Sequence, residues 1–318
     1  MLPTFLENLN VGSIHVYSPR PTIFVCGGKT AQSAAMPPES IRDALLRANV
    51  MGAITKANLF IVERITESFL RERVYDDFYE FENDMAQICD LVFLISESPG
   101  SFTELGSFVR DTEVANKLFT VIRSTHFWDG SYIDVGPIKY LENNQNGSVF
   151  VISDQDYRVD EADYSKLDTQ LLARRLEEPV RHRLKAAREH KQFAKGRNGH
   201  LCKFVVGLVQ DFGALEIAEI QNALDHLRIG KDQTTAERLV FCAKTIDWVR
   251  ADRRGLRTFI LPNTNKRAAK FVFNAGPIPT STERRRLAIR DHWQATDEER
   301  VTAILANSER LAQDAENE

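Results

Sequence analysis

A chain of 318 residues with 43% hydrophobic content exceeds the size that one core normally supports, so two domains are expected. No stretch is long and apolar enough to span a bilayer, and the N-terminus lacks a signal-peptide pattern, so a cytoplasmic protein that avoids membranes is expected. Four scattered cysteines (Cys26, Cys89, Cys202, Cys242) and seven histidines form no Cys-x-x-Cys or His-x-x-x-His pattern. They give no metal site and read as small core residues and ordinary side chains.

In chain order, residues 1–20 read as an irregular arm, and Thr22–Cys26 as the first strand. Gly27-Gly28 then makes a strand-to-helix turn at which backbone can come close to a ligand. Residues 29–36 form a polar loop able to cover a site, and Pro38-Glu39 opens a helix with Ile41, Leu45 and Leu46 on its apolar face. Residues 58–62 make a second strand ended by Glu63, and residues 78–89 a helix that contains Glu82. The continuous apolar run 91–95 has the pattern of a parallel strand covered on both faces. Further strands fall at 118–122 and 149–152. Alternating strands and helices argue for a Rossmann-like, doubly wound parallel sheet.

After the central strand, Pro99-Gly100 breaks the chain, and Ser101 with Glu104 three residues later has the capping signature of a helix start. That puts Glu104 at the C-terminal end of a strand, where open α/β sheets bind ligands. Glu104 has two readings. As a cap it returns a hydrogen bond to the backbone of Ser101. As a nucleophile it stays ionised in the field of the helix, attacks an anomeric carbon, and works beside the backbone N–H groups of Gly100 to Phe102, which face a phosphate or sugar. The turn from Trp128 to Pro137 follows the next strand on the same rim. There Tyr132 or Asp134 can hold ribose hydroxyls or a base, or the stretch is an ordinary Gly-Pro turn.

Asp90 and the run Glu97-Ser98-Pro99-Gly100-Ser101-Phe102-Thr103-Glu104-Leu105-Gly106 resemble the nucleoside deoxyribosyltransferase-like effectors of type II retrons. These are bacterial anti-phage units built from a reverse transcriptase and its satellite DNA. The likeness extends to Ile23-Phe24-Val25-Cys26-Gly27-Gly28, to Glu82-Asn83 and to Ser131-Tyr132-Ile133-Asp134-Val135-Gly136-Pro137. It implies an N-glycosidase in which Glu104 is the nucleophile and Asp90 the acid that contacts the base, with Gly27, Gly28, Ser98, Gly100, Ser101, Tyr132 and Asp134 around the substrate. It also implies NAD or a related nucleotide as substrate, with no further cofactor. The transferases carry an Asp six residues before the nucleophile, where this chain has Ser98 beside Glu97. A nicotinamide leaving group departs neutral without a proton, so that change leans towards NAD.

Residues 165–195 read as a long basic helix, and Gly196-Arg197-Asn198-Gly199 as a boundary. Helices at 201–212 and 215–227 follow, with a third opened by Thr234-Thr235-Ala236-Glu237. Strands at 258–261 and 269–273 around the turn 262–267 complete a winged-helix pattern. Leu239, Val240, Ala243 and Ile246 face inward, leaving Lys244, Asp247 and Arg250 outside. Arg253, Arg254, Arg257, Lys266, Arg267 and Lys270 give a basic wing suited to phosphates. Residues 171–290 hold 25 basic and 12 acidic residues, against 16 and 33 in the rest of the chain. Such asymmetry fits a polyanionic partner; docking of a protein by the same module is the alternative. The tail from Thr296, opened by Thr296-Asp297-Glu298-Glu299, reads as an acidic helix.

The chain is thus divided into an N-glycosidase domain (1–160), a basic helical connector (161–197), a winged-helix-like domain (198–280) and a helical tail (281–318). The expected whole is a retron toxin that cleaves the N-glycosidic bond of NAD or a related nucleotide. By resemblance it is restrained by a reverse transcriptase with satellite single-stranded DNA and its RNA, and forms a homodimer or larger assembly. The alternative is a non-catalytic nucleotide sensor that regulates DNA.

Overall fold

The computed structural model describes residues 1–49, 51–52, 58–187, 191–229 and 235–317. They fall into two compact units interleaved in sequence: residues 21–66 and 85–188 make one, and residues 1–20, 67–84 and 189–318 the other.

The first unit is a five-stranded parallel sheet of β1 (Thr22–Cys26), β2 (Asn58–Phe60), β3 (Leu91–Ser96), β4 (Leu118–Arg123) and β5 (Val149–Ile152), in the order β2-β1-β3-β4-β5. Every residue of β1 and β3 is buried. This explains why both read as unbroken apolar runs: strands covered on both faces have no solvent side to mark with polar residues. Between β1 and β2, helix α1 (Ile41–Ala48) starts later than Pro38 because Ser40, in extended conformation, caps it by accepting the Asp43 N–H at 3.0 Å. Helix α2 (Pro99–Phe108) follows β3, and α3 (Thr169–Ala187) closes the unit. Where the sequence suggests a connector, α3 buries Leu172, Leu176, Val180 and Leu184 in one core with Ile23, Val25, Leu91 and Phe93. Arg174, Arg175, Arg181 and Lys185 lie on the outer face of this core helix, while Arg183 turns in over the Phe119 ring. Glu63 falls in a short helical turn after β2 rather than at the end of a longer strand.

In the second unit, α4 (Asn198–Phe212), α5 (Ile217–His226) and α6 (Thr235–Thr245) precede an antiparallel hairpin of β6 (Val249–Arg254) and β7 (Arg257–Pro262). Thr234, expected to cap the third helix, lies outside the described residues. Leu215, between α4 and α5, bridges Ile260 of β7. The hairpin thus lies one strand earlier than expected. Gly255, at φ +54°, makes the two-residue turn with Leu256, and β6, with Val249 as its one β-branched or aromatic residue, gives little strand signal. Ala269–Lys270 pairs with His15–Val16 instead. Residues 1–20 are correspondingly not an irregular arm: Phe5 is fully buried, with its ring 5.1 Å from Phe212, 5.4 Å from Phe271 and 4.9 Å from Phe273. Helices α7 (Thr282–Thr296) and α8 (Glu298–Asn317) complete the unit, with Ala303 of α8 in a small core with Phe259 and Leu261. Among the described residues no helix is long and apolar enough to cross a membrane.

Candidate active site

In the order β2-β1-β3-β4-β5 the chain direction of winding reverses between β1 and β3, and open α/β sheets bind ligands outside the C-terminal ends of the strands at such a switch point. The two turns there are Cys26-Gly27-Gly28 and Ser96-Glu97-Ser98-Pro99. They are tied by Glu97, whose carboxylate accepts the N–H groups of Gly28 (3.0 Å), Ile41 (2.7 Å) and Arg42 (3.0 Å). This fixed anion sits on the N-terminus of α1, where helix dipole and free N–H groups favour negative charge. Burial pushes the Glu97 carboxyl above its ordinary range, opposed by the three N–H donors and the Arg42 charge. The need for glycine at position 28 is internal: a Cβ there would lie 2.6 Å from Ser40 Cβ and 2.9 Å from the Glu97 carboxyl. Arg42, almost wholly buried, donates to the carbonyl of Val25 at 3.3 Å and pairs with the half-exposed Glu63. Arg42 and Glu97 are the rim residues that sequence reasoning missed; the one available signal was Glu97 standing beside Ser98.

The cap of α2 differs from the expected one. Ser98, not Ser101, is the N-cap, and Ser98 and Ser101 form a reciprocal capping box. Ser101 Oγ accepts the N–H groups of Glu97 (2.9 Å) and Ser98 (2.8 Å) and donates to the Ser98 carbonyl (2.9 Å). With 1% exposure, Ser101 is therefore framework and not a substrate contact. The Ser101 N–H goes to Ser98 Oγ and the Phe102 N–H to the Ser98 carbonyl. Of the expected ligand-facing donors this leaves Gly100, where an added Cβ would meet only Ser98 Oγ, at 3.9 Å. Glu104 falls in the second turn of α2, half-buried and without capping duty.

Asp90 is not part of this rim. It precedes β3, and its carboxylate accepts the Thr22 N–H at 3.0 Å, tying the N-terminal ends of β1 and β3. The strand between Asp90 and the Glu97 turn has six residues, and at about 3.3 Å each it puts the two ends roughly 20 Å apart. Asp90 and the Glu97 turn thus lie at opposite ends of β3. The Trp128 to Pro137 turn does lie on the rim. His126, just before it, meets the Phe102 ring at 5.2 Å. Trp128 and Tyr132 are 78% and 82% exposed, and Asp134 accepts the Gly130 N–H at 3.2 Å. At the end of β4, Arg123 pairs with Asp154 and Glu161, and these partners raise its pKa. Burial raises the nearby Tyr164, as does the charge of Glu97.

The expected nucleic-acid residues are scattered. Helix α6 is covered by residues 67–84 of its own unit. Lys244 pairs with Glu72 at 2.8 Å, Arg238 pairs with Glu80 at 3.0 Å and lies over the Tyr75 ring, and Phe241 packs on Phe81. Lys244 is thus not on an open recognition face. Arg257 is bound internally by Glu216 and Asp297, both at 2.7 Å, and lies over Phe259. Arg254 pairs with Asp252, and Arg250 donates to Asn307. Arg253, Lys266, Arg267 and Lys270 are exposed. The four cysteines are buried free thiols, with Cys202 pushed up to about 12 by burial. Among the described residues no cluster of three His, Cys, Asp or Glu side chains is placed to hold a metal.

Sheet order and rim define a doubly wound α/β protein with its candidate ligand site at the switch point. Residues 38–251 match the model of the STM3845 retron effector protein family, and the chain belongs to that family. It is 28% identical over 137 residues to a protein of Escherichia coli named as the retron Ec86 ribosyltransferase/DNA-binding protein, which covers 43% of this chain and 42% of that one. It is also 28% identical over 98 residues to the corresponding retron Ec73 protein of Escherichia coli, covering 30% and 31%. The matched stretch spans less than half the length of either relative.

Proposed function

We propose that this retron effector is an N-glycosidase acting on NAD or a related nucleotide, with Glu104 as nucleophile. The observation that carries this reading is the half-buried Glu104 in the second turn of the helix that leaves the C-terminal end of β3, whose cap is already made by Ser98 and Ser101. The names of the Ec86 and Ec73 relatives, which give them as ribosyltransferases, and the likeness to nucleoside deoxyribosyltransferases support glycosyl transfer as the reaction class.

In the step envisaged, a Glu104 oxygen bonds to the anomeric carbon of the ribose as the N-glycosidic bond breaks. The bonding pair goes to the ring nitrogen. Water then opens the glycosyl ester, leaving a free sugar hydroxyl and the Glu104 carboxylate, with one proton released. A pyridinium leaving group becomes neutral nicotinamide without protonation. That choice suits a rim where Glu97 is occupied by three N–H donors and Ser98 by the cap. Gly100 offers the N–H for a phosphate or sugar oxygen, and Tyr132 and Asp134 stand ready for the ribose or base.

In the same reading the three helices, the Leu215 bridge and the hairpin form a winged helix, and the protein is a toxin restrained by a reverse transcriptase with its satellite DNA and RNA. The DNA-binding part of the relatives' names supports a nucleic-acid role. The masked face of α6 favours contact through the hairpin and the 265–270 segment over groove reading. The test is incubation of the full chain, with and without the cognate reverse transcriptase complex, with NAD and a nucleotide panel, followed by mass spectrometry. Free base is the expected product; a bound but unconsumed nucleotide would make the protein a sensor.

A further inference from the structure

The C-terminal unit contains a second candidate ligand site, built by α4, α7, α8 and the chain after β7. It is a cleft of about 450 Å³, within the usual size of small-molecule sites. Its charged wall is organised by Asp211, only 5% exposed, which accepts from buried Arg285 at 2.8 Å and from Arg286 Nε at 3.0 Å. Held by its inner edge, the Arg286 guanidinium presents its outer N–H groups in a fixed orientation. Arg290 follows four residues later on the same face of α7. It has no ion-pair partner among the described residues. The other acid of the lining, Glu283, accepts the Ser281 hydroxyl at 2.6 Å and lies in the field of Arg267 and Arg286. Neither acid of the lining pairs with Arg290.

The facing wall on α8 is apolar, from Ile304 and Leu311 two turns apart, and Leu287 adds apolar surface from α7. Two guanidinium groups beside an apolar shelf fit an amphipathic anion. Asn265 and Ser308 also line the cleft. Ser308 already donates its hydroxyl to the Ile304 carbonyl at 2.9 Å, but Asn265 is exposed, and a nucleobase has edges to meet its amide where a purely aliphatic body has none. We propose that this cleft binds a nucleoside monophosphate, with the phosphate on Arg286 and Arg290 and the base against Leu287, Ile304 and Leu311. This site is separate from the candidate active site and does not depend on the glycosidase reading.

The experiment is calorimetric titration of the full chain with AMP, inorganic phosphate and adenosine. AMP is expected to bind at least about tenfold more tightly than either half alone, and Arg290→Ala to weaken it by about tenfold or more, the scale of one charge-assisted contact. Arg290 is exposed, so that variant keeps the wild-type unfolding temperature; Ala312→Phe, which fills the cleft without removing charge, should weaken AMP as well. The proposal is overturned if AMP does not bind or binds no better than phosphate. It is equally overturned if AMP binding is unchanged in both variants, which would place any nucleotide elsewhere in the chain.

Discussion

Glu104→Gln separates chemistry from architecture at the candidate site. The substitution keeps side-chain shape and nearly the same helix propensity. Because Ser98 and Ser101 make the cap of α2, no capping hydrogen bond is lost. The favourable carboxylate–dipole interaction fades beyond the first turn, so losing that interaction should cost less than about 0.5 kcal/mol. Activity should behave oppositely, since an amide oxygen is a poor nucleophile. Loss of the group that forms a covalent intermediate costs about 10³-fold or more, equivalent to at least about 4 kcal/mol in the barrier. The assay pairs nicotinamide release from NAD, read by mass spectrometry, with thermal unfolding of the same preparation. A folded variant that releases base at the wild-type rate would refute the nucleophile, and a variant that unfolds would make Glu104 a structural carboxylate.

Asp90→Asn should leave base release near the wild-type rate, because strand β3 separates it from the rim; a large loss in a well-folded variant would show that Asp90 reaches the substrate after all. Asp297, held down to about 2 by its hydrogen bond with Arg257, stabilises the native state above its ordinary value of 3.8. That stabilisation is lost as pH falls towards 2. Asp297 is only 13% exposed, and after allowance for screening its loss in Asp297→Asn should cost about 1–2 kcal/mol at neutral pH and vanish near pH 2, read by denaturant unfolding across that range. Replacing Lys266, Arg267 and Lys270 together by alanine should lower the slope of log affinity against log salt for structured nucleic acid by about two to three. An unchanged slope would assign that surface to a protein partner.

The parallel sheet was legible because strands buried on both faces are written as continuous apolar runs, as in 22–26 and 91–95. The helix that follows the C-terminal end of the central strand was legible for the same reason. The cap was not, since Ser98-x-x-Ser101 and Ser101-x-x-Glu104 both fit the local pattern, and only the geometry of the turn chooses between them. Asp90 misleads because it stands near Glu104 in sequence, while an extended strand carries its two ends to opposite edges of the sheet. The hairpin was displaced because Val249–Arg254 has Val249 as its one β-branched or aromatic residue and ends in three successive charges, a weak strand signal. The cover on α6 comes from residues 67–84, far away in sequence, and no local pattern marks which helix they protect.

That cover changes what the basic surplus of residues 171–290 means. Part of it is offset inside the second unit by acids from outside that range: Arg238 by Glu80, Lys244 by Glu72 and Arg257 by Asp297. A helix whose charged residues are paired in this way, and whose Phe241 packs against Phe81 and Tyr75, cannot enter a groove without exposing apolar surface to water. Among the charges left at the surface are those of Arg253 at the hairpin and of Lys266, Arg267 and Lys270 beyond it. Such charges suit contacts to phosphates, which set position and affinity but carry no base sequence. Selectivity for one nucleic acid would then have to come from its folded shape or from a protein bound to it, as in a complex of a reverse transcriptase with its own DNA.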